Sequence, residues 1–190
     1  MATRSSFELE GFLEACRAAV AATDGERAVR ELVTEAVSDA AAVAAGLGER
    51  EHAGLRVLCR AQDLTVIDFA WAPWMCFKPH NHNMWSVVGL VAGREDNVFW
   101  RRTEQSIEAA GARSLGAGDV ATLGVDIIHS VTNPIGRFTR AVHVYGGDFF
   151  APVRPRSEWE HETLVERPWD MEDTRRLFAE AEARFRASAG

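Results

Sequence analysis

Two hydrophobic periods divide this chain. Up to about residue 47, apolar residues recur at helical spacing: in RAVRELVTEAV, Ala28, Leu32, Val33 and Ala36 fall on one face. Ser5 followed by Glu8, and Thr23 followed by Glu26, match the capping-box pattern, in which each side chain satisfies a backbone N–H left free in a first turn. The Ala-rich run SDAAAVAAGLG stops at Gly46 and Gly48, since glycine ends helices readily. Residues 1–50 are therefore expected to be helical and to pack against whatever follows.

From residue 54 the period shortens. LRVLCR, LTVIDFAWA, MWSVVGLVAG, NVFWRRTE, GDVATLG, DIIHSVTN and FTRAVHVYGG are short runs rich in β-branched and aromatic residues, separated by Gly, Pro, Asn and Asp. A spacing of roughly 8–12 residues is that of a β-sandwich or barrel. After Pro155, SEWEHETLVE is a further strand candidate, and DMEDTRRLFAEAEARFRA predicts a closing helix with Asp170 or Asp173 near its start. The expected organisation is one mainly-β domain over 1–190: a helical segment 1–50, a barrel 54–165 and a C-terminal helix 169–188.

Composition refines this by exclusion. A hydrophobic content of 47% against 26% charged residues fits a globular chain with an ordinary core. The net charge of −7, with basic residues scattered, gives no nucleic-acid surface and disfavours anionic membrane. Three cysteines without framework spacing (Cys16, Cys59, Cys76) predict free thiols in a reducing compartment. Cys76 is expected to be buried and inert, and Trp71, Trp74 and Trp100 to be packing residues. MATRSSFELEGFLEACRAAV has acidic residues where a signal peptide needs an apolar run, and no stretch nears the ~20 apolar residues of a membrane helix. A cytoplasmic location is the expectation.

The chemistry concentrates in KPHNHNMW, residues 78–85. Side chains two apart on a strand face the same way, so His80 and His82 project together. Their flanks, WAPWMCF and MWSVVGLVAG, are apolar, which places the pair inside. Buried imidazoles must be hydrogen-bonded or metal-bound. Further on, GDVATLGVDIIHSVTN carries Gly118, His129 and Asn133.

With His80, His82 and Gly93, this spacing resembles the two motifs of the cupin superfamily, over about residues 54 to 148. The resemblance implies a cupin double-stranded β-helix, a jelly-roll-like barrel, with a metal held inside by His80, His82 and His129. Many cupins add a glutamate ligand four or five residues after the second histidine; here Ser86 and Val87 stand there. Three neutral imidazoles leave the metal's charge uncompensated, which favours anionic donors such as a thiolate, and leave positions open for catalysis.

AVHVYGG adds His143 and Tyr145, two apart on the next strand. The set resembles the thiol dioxygenases, the group of cysteine dioxygenase and 3-mercaptopropionate dioxygenase. That resemblance implies a non-heme Fe(II) enzyme that takes a small thiol carboxylate and O2 to a sulfinic acid. Tyr145 would place its hydroxyl beside the substrates, and His143 would fix that hydroxyl. Two departures stand out: Ala141 replaces the serine that completes the family's relay, and Val87 replaces the crosslinking cysteine of animal members. Arg60 and Arg154 are the candidates for holding a substrate carboxylate, with Arg156 a third, and Trp85 is a candidate pocket wall. His52 and His161 lie outside the motifs and are expected at the surface. Two other functions stay open: a three-histidine iron oxygenase acting on a non-thiol small molecule, and a non-enzymatic metal- or ligand-binding cupin.

Overall fold

The structure, a computed structural model, describes residues 6–188. Three helices open it: α1 (Leu9–Val20), α2 (Gly25–Val37) and α3 (Ala40–Leu47). Ser5 lies outside the described residues. The Thr23–Glu26 capping box does not form, because α2 starts at Gly25 behind Asp24, whose side chain makes no cap bond. Asp39 does cap α3, its carboxylate accepting from the Ala42 N–H at 3.1 Å.

Eleven strands follow: β1 (Gly54–Arg60), β2 (Thr65–Trp71), β3 (Cys76–Asn81), β4 (Ser86–Ala92), β5 (Arg94–Arg102), β6 (Ile107–Gly116), β7 (Val120–Leu123), β8 (Ile128–Thr132), β9 (Thr139–Tyr145), β10 (Ser157–Trp159) and β11 (Glu166–Pro168). One sheet has the order β1-β2-β9-β4-β7, the other β11-β10-β3-β8-β5-β6. Every pairing is antiparallel. Within these, strands β2 to β9 alternate as β2-β9-β4-β7 facing β3-β8-β5-β6, the eight-stranded jelly-roll arrangement of a double-stranded β-helix. The expected fold class is the observed one.

The period-2 pattern sorts each strand between two environments. On β9, Val142 and Val144 face the helices, while Ala141, His143 and Tyr145 face into the barrel. Val29, Val33 and Val37 of α2 meet Val87, Val91, Val142 and Val144 in one buried cluster. Full burial of a valine contributes on the order of 1.5–3 kcal/mol. Gly89 of β4 allows this approach, because a Cβ there would stand 2.5 Å from Val33 Cγ1.

An ionic knot ties α3 to the same sheet. Asp68 is fully buried on β2 and accepts from Arg140 at 2.8 and 2.9 Å and from Arg56 at 2.8 Å. The same guanidiniums donate to Gly48 O (2.7 Å) and Leu47 O (2.6 Å), the carbonyls at the negative end of α3.

Strand β6 departs from the sequence expectation, which had none there. IEAAGARSLG has few β-branched residues, and as an outer strand it is exposed along most of its length, so no alternation marks it. The candidate strand after Pro155 resolves into two short strands, β10 and β11. Cys76 is exposed rather than buried, and Trp74 is 66% exposed at a turn with φ 60°.

The last helix, α4 (Met171–Ser188), starts at Asp170, whose Oδ1 accepts from the Glu172 N–H at 2.8 Å. Asp173 instead pairs with Lys78 of β3. Phe178 stacks on Trp71, ring centroids 5.0 Å apart, and closes one end of the barrel. No described helix is long and apolar enough to cross a membrane.

Candidate metal centre

The site begins with an irregular strand. Phe77 and His80 both line the central cavity although they stand three positions apart, an odd spacing on a strand. The β3–β8 register shifts between these two positions, a bulge at Lys78–Pro79 that turns Lys78 outward to Glu158 and Asp173. Pro79, with no N–H to give a ladder, fits such a position. Beyond the bulge, His80 sits directly opposite His129 of β8. His82 lies just past the end of β3, and Asn83, at φ 55°, turns the chain toward β4.

The three predicted ligands converge. His82 Nε2 lies 3.2 Å from His80 Nε2 and 3.4 Å from His129 Nε2, and the ligand atoms of all three residues fall within 4.8 Å of one another. All three rings are buried. Their other nitrogens are engaged: His80 Nδ1 donates to the Lys78 carbonyl (3.0 Å), His129 Nδ1 donates to Asn97 Oδ1 (2.7 Å), and His82 Nδ1 meets the Ser86 hydroxyl (3.3 Å). Asn97 is itself oriented by donating from Nδ2 to Glu95 Oε1 at 3.0 Å.

This donor set fits a metal ion. The Nδ1–H tautomers of His80 and His129 leave a lone pair on each Nε2, and the Ser86 hydroxyl can hold His82 in the same tautomer by accepting from Nδ1, so that the three lone pairs face one another. Burial holds all three imidazoles well below the ordinary histidine range, His129 at about 3, so all three are uncharged at neutral pH. Facing lone pairs repel unless a cation lies between them, and outer partners that fix ring orientation are the usual support of metal-binding histidines.

Around the cluster lies a second set of groups. His143 Nδ1 is 3.1 Å from the Tyr145 hydroxyl, and the Tyr145 ring stands edge-on to His82 at 5.1 Å. His143 Nε2 has no hydrogen-bond partner, with Glu95 Oε2 4.0 Å away. Glu95 Oε2 accepts from the Trp71 indole N–H at 3.0 Å. Burial pushes the Glu95 carboxyl up to about 7, lowers His143 to about 3 and raises the Tyr145 hydroxyl.

The arginine in the cavity is Arg156. It is 5% exposed, donates from Nε to Asn81 O (2.9 Å), and packs against Phe149 and Trp169, 4.1 and 3.9 Å from the centroids of these two mutually T-shaped rings. Arg60 and Arg154 do not reach the site. Arg60 forms a two-pronged pair with Asp148 and lies over Phe150, and Arg154 pairs with Asp126 at the surface. Trp85 is also outside the cavity, against the helix-side cluster, where its indole occupies the space a Cβ on Gly146 would need. Ala141 is buried without a polar atom, so nothing at that position reaches His143.

Several participants were not foreseen from sequence: Glu95, Asn97, Phe149 and Trp169. Glu95 and Asn97 carried a signal, a polar pair at strand spacing beside an apolar run. The cavity, which Phe149 and Trp169 help to line, has a volume of about 20 Å³, and its walls include Phe69, Trp71, Phe77, Val131 and Phe178. A metal ion's charge beside the Arg156 guanidinium, inside an apolar shell, calls for an anionic ligand.

No known protein-family profile matches the sequence. Among solved structures, the chain is similar to a Bacillus halodurans protein (TM-score 0.47, 14% identity, 65% of this chain and 80% of that one). It is also similar to a double-stranded β-helix protein of Klebsiella pneumoniae (0.43, 13%, 65% and 89%) and to the DMSP lyase of Ruegeria pomeroyi (0.44, 16%, 54% and 50%). At such identities and scores, the fold class rests on the strand order itself.

Proposed function

We propose that this protein is an Fe(II)-dependent thiol dioxygenase that converts a small thiol carboxylate and O2 to a sulfinic acid. The observation that carries the reading is the placement, in one apolar cavity, of three neutral imidazoles and a buried guanidinium that donates to the Asn81 and Phe149 carbonyls and has no carboxylate partner among the described residues. Iron held by His80, His82 and His129 would supply binding and activation of O2 and thiolate. In the net reaction both oxygen atoms become bonded to sulfur, which is oxidised as O2 is reduced.

The chain's own residues bind and orient. The Arg156 fork matches a carboxylate, and its seat in the corner of two aromatic rings, with bonds to the Asn81 and Phe149 carbonyls, fixes where that carboxylate would sit. Tyr145 packs its ring at right angles to His82, and His143 anchors the Tyr145 hydroxyl. Phe69, Phe77, Phe149 and Phe178 keep water out, which strengthens each polar contact inside. Thiol and O2 held side by side react as one unit rather than by chance encounter.

Ala141 favours a second reading, in which the same centre oxidises a non-thiol small molecule. Oxygen uptake by iron-loaded protein with cysteine, 3-mercaptopropionate and cysteamine separates the two. Stoichiometric sulfinate from one thiol is the expected result. Iron-loaded protein inert toward all three thiols overturns the proposal in favour of the second reading. Absence of redox turnover with any small molecule points to a binding protein.

A further inference from the structure

The His143–Tyr145 pair lacks the hydroxyl that the serine position would have provided, and its outer nitrogen is orphaned. A buried imidazole nitrogen without a partner is costly, and an unpaired one in a site needs an explanation. The group facing that nitrogen is Glu95, on β5 of the opposite sheet, with Oε2 4.0 Å from His143 Nε2. Glu95 is 1% exposed, and among the described residues no lysine or arginine forms an ion pair with it. Its neighbour Asp96 points away to pair with Arg94.

Glu95 also touches the rest of the centre. Its Oε1 accepts from Asn97, whose Oδ1 orients His129, and its Oε2 accepts from Trp71. One carboxylate thus stands between a metal-ligand support and the tyrosine anchor. A buried carboxylate with no cation persists only where its hydrogen bonds are put to use.

We infer that Glu95 is the positioning residue of the His143–Tyr145 pair: its carboxylate holds His143 in the Nε2–H tautomer, so that Nδ1 accepts from Tyr145. The tyrosine O–H then points at His143, and the oxygen keeps its lone pairs for a proton donor on the incoming ligand. The 4.0 Å gap is longer than a hydrogen bond and closes with a shift of about 1 Å. Gaps of this kind commonly tighten only when the site is filled. The role rests on the proposed catalytic use of Tyr145, but the tautomer does not depend on which substrate is oxidised.

Long-range proton–nitrogen NMR of metal-free protein labelled at histidine nitrogens, well above neutral pH, reads the tautomer directly. Loss of one ring signal in His143→Gln assigns it. Wild type should show His143 as Nε2–H. In Glu95→Leu no acceptor faces Nε2, and the ring should switch to Nδ1–H, donating to the Tyr145 oxygen. A wild-type Nδ1–H ring, or an unchanged tautomer in Glu95→Leu, overturns the inference. In iron-loaded Glu95→Leu, kcat should fall about 10- to 100-fold with KM and iron content unchanged. Parallel loss of iron would make Glu95 a support of His129 through Asn97 instead. If wild type oxidises no thiol at all, the functional proposal fails while the tautomer measurement still decides Glu95.

Discussion

The Arg156 guanidinium lies 3.9 Å from the centroid of the Trp169 ring, and Phe149, T-shaped to Trp169, meets it at 4.1 Å. Trp169 precedes α4, and its backbone N–H donates to the Arg156 carbonyl at 3.0 Å. The charge that would receive a substrate anion is therefore held by the segment that also roofs the cavity. Recognition and closure share one element.

Replacing Arg156 by lysine keeps the charge but removes the fork and its stacking. KM for a thiol carboxylate should rise about 10- to 100-fold, since charge-assisted bonds are worth roughly 1.5–3 kcal/mol each. Iron content should not change, and oxidation of a thiol lacking a carboxylate should be little affected. Arg60→Ala and Arg154→Ala should both behave as wild type. A KM effect confined to either of those would move the anion site to the surface.

The metal ligands and their supports should separate in a titration. His129→Ala removes one of three donors and should abolish iron retention while the barrel persists. Asn97→Ala leaves the donors but frees the His129 ring, and should weaken metal binding about 10- to 100-fold, the usual cost of losing an outer partner. Tyr145→Phe should keep iron and lose turnover. Wild-type iron content in His129→Ala would remove that residue from the centre.

Acid should destabilise the metal-free protein steeply. Burial lowers His80 and His82 and brings His129 and His143 to about 3, whereas unfolded histidine titrates near its ordinary value of 6.5. Below about 6.5 the unfolded chain binds more protons, so stability is complete above that pH and is lost as pH falls. Glu95, raised from 4.5 to about 7, acts in the opposite sense between those values, one group against four. Urea midpoints of metal-free protein at pH values either side of 6.5 read the slope. Bound metal should flatten it, because protons then compete with the ion. A midpoint independent of pH would mean the imidazoles are not buried neutral.

The ligand trio was readable because strand alternation and motif spacing are local properties of the chain. The same holds for α2 and for β9, where one face is valine and the other carries His143 and Tyr145. Arg156 and Glu95 were harder. PVRPRSEW has no period, since two prolines interrupt it, and which of its arginines turns inward depends on β10 pairing with β3, about 75 residues earlier in the chain by the span of the Arg156–Asn81 bond. The bulge at Lys78–Pro79 was equally hidden, although without it Phe77 and His80 would face opposite sides. What escapes the sequence is pairing across long separations, and that pairing places the second set of polar groups.

A cavity of about 20 Å³ holds roughly one water, so any substrate must displace part of the roof. Helix α4 is the element to move. It is fixed by Phe178 against Trp71, by Asp173 on Lys78, and by Glu182, which accepts from the Ala53 N–H at 2.8 Å. Lys78 is the shared cation of that latch, donating also to the buried Glu158 at 2.7 Å. In Lys78→Met two carboxylates face each other with no cation between them, and breaking such a buried pair costs about 3–5 kcal/mol. Part of that loss should appear locally: hydrogen exchange over 171–188 should accelerate more than exchange in β2 and β9, and binding of a small anionic ligand should speed up. Adding Asp173→Asn removes one of the opposed charges and should restore part of the stability. If α4 exchanges only together with the barrel strands in both proteins, the roof does not open independently, and a substrate must reach the histidines by another path.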